Sequence, residues 1–269
     1  MFLSRRNTIY PINHLSPQKA NLTAWWPASK SPSSGLIRET VRGLDATLMS
    51  TAAWRGDPLL GQSVYFDGNT AEVDTLHNYS LPNVITLCAW VRPDFTNGTG
   101  NQASAIIVRK NRNVGTNQPY FSIGTDNSSP AKVQIIILGS SLTSNYTIST
   151  GIAFHVAATW AQPPELCKIY INGILDNSSS INQNIVSTTE IISFGKSFFS
   201  LPSDERWLGL IGDVRLYGAI KTAPEIYAMW HPTTRWELYD QPYQGIYPGV
   251  AAAVAASRIY QPQVMIVNS

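Results

Sequence analysis

Val84-Ile85-Thr86-Leu87-Cys88-Ala89-Trp90-Val91-Arg92 is apolar at odd and even positions alike. Successive residues of a strand point to opposite faces, so a run that is apolar on both describes a central strand covered on both sides. On both sides of it, short apolar runs recur between clusters of Gly, Pro, Asn and Ser. Before it comes Ser63–Asp67 (SVYFD), a Gly68-Asn69 turn, and Ala71–Thr75 (AEVDT). After it come Ser104–Lys110, Tyr120–Thr125, Lys132–Leu138, Phe154–Trp160 and Leu166–Ile171. Asn172-Gly173 is a hairpin dipeptide, and Ile191–Gly195 and Trp207–Tyr217 close the series. Many short strands separated by turn residues predict an all-β, two-sheet antiparallel sandwich.

Only one segment reads as a helix. Thr222 is placed as an N-cap, Pro224 falls in the first turn, Glu225 follows, and Ile226, Tyr227, Met229 and Trp230 form an apolar face. His231-Pro232 stops it, and packing across one edge of the sandwich is expected. Residues 1–20 show no periodicity and read as an N-terminal arm, residues 21–230 as the sandwich, and residues 231–269 as a C-terminal attachment tail. The tail's apolar end, Val264–Val267, needs a surface to cover it.

Only 13% of the residues are charged, against about 25% in ordinary soluble domains, so Asn, Ser, Thr and Gln carry the polarity. A net charge of +2 gives no field for nucleic acid or an anionic membrane. No run approaches the ~18 apolar residues of a membrane span, and the opening MFLSRRNTIYPINHL lacks the apolar core of a secretory signal. Cys88 and Cys167 sit in strand-like runs and read as buried thiols, with a single sheet-to-sheet bridge as the alternative.

Together these segments resemble laminin-G-like domains of the concanavalin A-like superfamily. The matching residues are Gly61–Gly68 (GQSVYFDG), Ile85–Pro93 (ITLCAWVRP), Phe154–Trp160 (FHVAATW), Leu166–Gly173 (LCKIYING) and Gly209–Tyr217 (GLIGDVRLY). The resemblance implies a jelly-roll sandwich with one short helix and extended terminal segments. The flanks, Ala24-Trp25-Trp26-Pro27 and Thr234–Tyr239 (TRWELY), are similar to those of phage-encoded relatives. This implies a non-enzymatic virion structural protein on the particle exterior: capsid decoration, head fibre, neck or tail. Its partners would be other virion proteins, reached through both termini, and further copies of itself. The attachment residues are then Arg5, Arg6, Trp236, Tyr239, Met265 and Ile266.

The alternative function is an adhesin for host surface glycans. Its candidate contacts are Asn97, Tyr120, Asn145 and Tyr146, with the polar stretches Asn97–Asn101, Asn111–Gln118 and Ser140–Tyr146 read as loops. Calcium is the cation the resemblance suggests. Asp67, Asn69, Glu72 and Asp213 are the candidate ligands, but the acidic cluster after Phe66-Asp67-Gly68 is thinned to Asn69-Thr70-Ala71-Glu72. Asp67 also suits a turn, Asp213 suits pairing with Arg215, and a face shared by Trp207, Ile211, Asp213, Arg215 and Tyr217 is expected. The third reading is a glycoside hydrolase. Glu72 and Asp74 share a face, but Thr70 and Leu76 flank them where a third acid would stand. His155 is expected to be a packed or hydrogen-bonded histidine.

Overall fold

The computed structural model describes residues 12–27, 35–79, 83–98, 102, 104–111, 119–162, 166–183, 191–196 and 205–239. Arg5, Arg6, Met265, Ile266 and the Val264–Val267 run lie outside these residues.

The strands are β1 (Leu22–Trp26), β2 (Leu36–Ile37), β3 (Ala46–Met49), β4 (Ala53–Asp57), β5 (Gly61–Asp67), β6 (Glu72–Asn78), β7 (Val84–Pro93) and β8 (Ile106–Asn111). They continue with β9 (Pro119–Thr125), β10 (Lys132–Ile137), β11 (Ser140–Thr147), β12 (Phe154–Ala161), β13 (Leu166–Ile171), β14 (Ile174–Ser180), β15 (Ile191–Phe194) and β16 (Leu208–Tyr217). They form two antiparallel sheets. The first runs β14-β13-β12-β7-β16-β5-β4, with β1 also paired to β16, and the second runs β11-β10-β9-β8-β15-β6-β3-β2. This is the expected two-sheet sandwich.

The core between the sheets takes one face of each strand: Ile85, Leu87, Ala89 and Val91 from β7, and Phe154, Val156, Ala158 and Trp160 from β12. Facing them are Val73, Phe121, Ile123, Val133, Ile135 and Phe194 of the second sheet. Trp26 meets the rings of Tyr79 and Phe194 edge-on, which suits their quadrupoles.

The outer face of the first sheet is covered, as the sequence of β7 requires. Helix α1 (Ala223–Trp230) lays Ile226 and Met229 on Cys88, Ala157, Tyr170 and Tyr217. The helix therefore lies over the face of the central strands rather than across an edge, because that face is where the uncovered apolar area lies. Its start is capped as expected: the Glu225 carboxylate accepts from the backbone N–H and the hydroxyl of Thr222 at 2.8 Å. Cys88 points to the helix while Cys167 points into the core, and both thiols are free, which excludes the bridge.

A β-bulge changes the expected face of the last strand. Gly212 pairs with Trp90 and Arg215 with Cys88, so β16 holds one residue more than β7 over that interval. Asp213 is the extra residue, at φ 49°. Trp207 and Ile211 consequently fall in the core, while Asp213, Arg215 and Tyr217 turn to the other side.

Both flanks pack on that side. A 3-10 turn, Pro17–Lys19, precedes β1. Ile12, Trp25, Leu238 and Tyr239 form a small cluster, and Ile12 and Tyr239 pair in an isolated antiparallel bridge. Part of the segment read as an arm and part of the segment read as a tail thus lie side by side against the sandwich.

Candidate functional site

The two outer faces differ in kind. Over the first sheet, Asp213 and Arg215 anchor a sealed network. Arg215 donates Nε to Asp213 Oδ1 at 3.0 Å and Nη2 to Oδ2 at 2.7 Å, and also reaches Gln18 Oε1 and the Arg235 carbonyl. Trp25 donates its indole N–H to Asp213 at 2.7 Å, and Gln18 donates to the Thr234 carbonyl at 2.6 Å. Burial alone would raise the Asp213 carboxyl. The Arg215 charge and hydrogen bonds outweigh it and hold the carboxyl below the usual range. His155 lies nearby against Trp90, buried as expected. Desolvation, then the Arg215 and Arg235 charges, push it down to about 3, so it is neutral. This face joins the described parts of the flanks to the sandwich.

The outer face of the second sheet is polar. The register sets one row across it: Thr47, Asp74, Ser193, Arg109, Ser122, Ile136 and Ser141 stand opposite one another on β3, β6, β15, β8, β9, β10 and β11. Asp74, Ser193, Arg109 and Ser122 point away from the core and are nevertheless buried, so the face is recessed. A pocket of about 210 Å³ opens there, lined by Ser104, Ile106, Arg109, Ser122, Gln134 and Glu205 among others. Arg109 donates to Glu205 at 2.6 Å; the arginine is 2% exposed and the glutamate 28%. Desolvation lowers the Arg109 pKa and Glu205 acts against it. Further along, Glu72 is ion-paired with Lys196. One oxygen of Asp74 has no hydrogen-bond partner, and desolvation raises its pKa.

The candidate ligands for calcium are not brought together. Asp67 Oδ1 accepts the N–H groups of Asn69, Thr70 and Ala71 at 2.8–2.9 Å, and Oδ2 takes the hydroxyls of Thr51 and Thr70. Burial would raise this carboxyl, but these donors hold it far below the usual range. Asp67 thus serves its turn, Glu72 serves Lys196 and Asp213 serves Arg215. Among the described residues no group of three or more His, Cys, Asp or Glu could hold a metal. The residues do not fit a calcium cage.

The candidate glycan contacts also disperse. Asn97 is exposed in the loop after β7, where the neighbouring Gly98 N–H reaches the Ser128 carbonyl. Ser140–Tyr146, read as a loop, is most of strand β11. There Asn145 binds Asp176 of β14 through its backbone N–H at 2.6 Å and its side chain at 2.9 Å. Tyr146 packs on Phe154, and burial raises its hydroxyl pKa. Tyr120 lies on β9, and its side chain is outside the described residues, as is 112–118. Of the attachment residues, Tyr239 is buried against Trp25 at 4.7 Å, and Trp236 lies beside it under the Arg235 guanidinium. Sequence reading missed Arg109, Glu205, Gln134 and Ser122. The available signal was a cation, Arg109, directly after the apolar run Ala105–Val108 and within the same strand.

Residues 63–227 match the Laminin_G_3 family, described as concanavalin A-like lectin/glucanases superfamily, and the chain belongs to it. No curated protein matches it in sequence. Among solved structures it is similar to domain 4 of AbnA, a GH43 extracellular arabinanase from Geobacillus stearothermophilus, in complex with arabinotriose. That likeness has a TM-score of 0.59 at 14% identity and covers 78% of this chain and 98% of that one. It is also similar to Trypanosoma rangeli sialidase in complex with the inhibitor DANA, with a TM-score of 0.57 at 12% identity, over 78% of this chain and 32% of that one. A SAP-like heptameric pentraxin from Limulus polyphemus gives 0.51 at 15% identity, over 63% and 82%. At these identities the likeness is one of fold. Among the described residues, no helix is long and apolar enough to cross a membrane.

Proposed function

We propose that this chain is a non-enzymatic structural component of a bacteriophage virion that carries its lectin-like sandwich outward on the particle. The observation that supports this best is the Ile12–Tyr239 bridge, since it sets the described parts of the two terminal segments side by side on one flank of the sandwich. A body fastened through that flank presents the second sheet away from the attachment. The phage setting draws its support from the flanking segments Ala24–Pro27 and Thr234–Tyr239. Residues 1–11 and 240–269, with Arg5, Arg6, Met265 and Ile266, then contact other virion proteins or further copies of the chain. Particles assembled with protein truncated after Tyr239 test this. The truncated chain folds but is missing from purified particles; incorporation at the full-length level contradicts the reading.

A second reading, compatible with the first, is contact with host glycans. The recessed polar face favours it, as does the fold likeness to an arabinanase domain bound to arabinotriose. Turnover is not expected, because Glu72 is engaged by Lys196 and no third acid continues the Glu72–Asp74 pair. A glycan array run with calcium and with a chelator tests it. Calcium-independent binding is the expected result, and absence of binding in both arms removes this reading.

A further inference from the structure

Lys196, Glu72 and Asp74 stand together on the outer face of the second sheet. Glu72 and Asp74 alternate along β6 and share a face, and Lys196 follows β15, the strand paired with β6. The side chains of Lys196 and Glu72 are in contact and only 15% and 14% exposed. Asp74 is 7% exposed, and one of its oxygens is enclosed without a hydrogen-bond partner. Another lysine pair, Lys221 with Glu225, is differently placed: its carboxylate is 40% exposed and caps the start of α1.

We infer that Lys196 and Glu72 condense into an amide cross-link, with Asp74 as the neighbouring group that relays a proton. The ion pair already holds every atom of the product. The Lys196 ammonium passes one proton to the Asp74 carboxylate, and the freed Nζ attacks the Glu72 carboxyl carbon. An N–C bond forms and a C–O bond breaks. The departing oxygen takes the proton back from Asp74 and a second one from Nζ, and leaves as water. No oxidant, reductant or second molecule is consumed. Enclosure favours the product, because a buried ion pair carries the cost of two desolvated charges and a neutral amide does not. Asp74 suits the relay. Burial raises its pKa, the Lys196 charge acts against the rise, and the Glu72 charge adds to it, so the carboxyl lies within reach of both partners' charges and accepts a proton more readily than an exposed Asp. The link ties β6 to the residue beyond β15, and with Cys88 and Cys167 both free it closes the sheet covalently whatever the redox state.

Intact mass spectrometry of the full-length protein, purified folded and then denatured, tests this. The wild-type chain is expected to be one water lighter than its sequence. A tryptic digest should then hold Glu72 and Lys196 in one branched peptide, uncut at Lys196. Lys196→Arg keeps the ion pair and the fold, but a guanidinium does not give up its proton, so that variant is expected at full mass. Asp74→Asn should leave most molecules at full mass. Wild-type protein at full mass, a lost water that maps to other residues, or the same loss in Lys196→Arg overturns the inference. Asp74→Asn linked as completely as wild type overturns the relay.

Discussion

Asp213 governs how the flanks are joined to the sandwich. It occupies the bulge of β16 at φ 49°, and its carboxylate satisfies the fully buried Arg215 and the Trp25 indole. Asn tolerates the same backbone region, so Asp213→Asn removes the charge with little change of shape. The change leaves a buried guanidinium unpaired, and a loss of about 3–5 kcal/mol in urea unfolding is expected. Adding Arg215→Met should restore much of it; a single variant as stable as wild type sinks this account of the network. His155 makes a pH prediction. Its folded pKa is depressed to about 3 from an ordinary 6.5, so the unfolded chain takes up a proton first as pH falls. Stability from this residue is therefore complete above 6.5 and is lost between 6.5 and 3, at about 1.4 kcal/mol per pH unit. The stability difference between wild type and His155→Phe should shift by about 2 kcal/mol from pH 7.5 to pH 5, in favour of the variant. A constant difference would mean that the histidine is not held neutral.

At the scale of elements, legibility followed apolar pattern. β7, β12, β13 and β16 stand where their apolar runs predicted, because central strands must be apolar to be buried on both faces. β11 (Ser140–Thr147) and β14 (Ile174–Ser180) are edge strands rich in hydroxyls and amides, with several exposed positions each, so they carry no such signal and β11 passed for a loop. The bulge at Asp213 was equally silent, since one inserted residue leaves composition untouched while reversing which side chains face the core. The hairpin of β13 and β14 was legible from Asn172-Gly173, which take φ 50° and 78°. A Cβ at Gly173 would stand 3.0 Å from the Tyr227 Cα and 3.1 Å from the Trp230 ring, whereas at Gly43 (φ 73°) it meets nothing within 4 Å. Gly173→Ala should therefore cost about 1–3 kcal/mol and Gly43→Ala less, because the latter pays for backbone strain alone. Equal losses in thermal unfolding would show that α1 does not pack closely on this hairpin.

Among the described residues the molecule is asymmetric: one outer face carries α1 and the flanks, and the other is polar and recessed. The family and sandwich were readable from strand order. The site was not, because the row from Asp74 to Ser122 assembles residues from strands far apart in sequence. The candidate calcium acids are not brought together: Asp67 is held by its own turn, Glu72 by Lys196 and Asp213 by Arg215. Removing calcium with a chelator should accordingly leave the thermal midpoint unmoved; a clear drop would expose a cation site built from other oxygens. The reading at stake is a non-enzymatic sandwich fastened to a virion through the side where Ile12 and Tyr239 pair. Electron cryo-microscopy of the assembled particle tests this most directly. Density is expected for the sandwich with Ile12 and Tyr239 turned toward neighbouring subunits and the β8–β10 face turned to solvent. Particles without this chain, or with the Ile12–Tyr239 side free and the polar face buried, would contradict it.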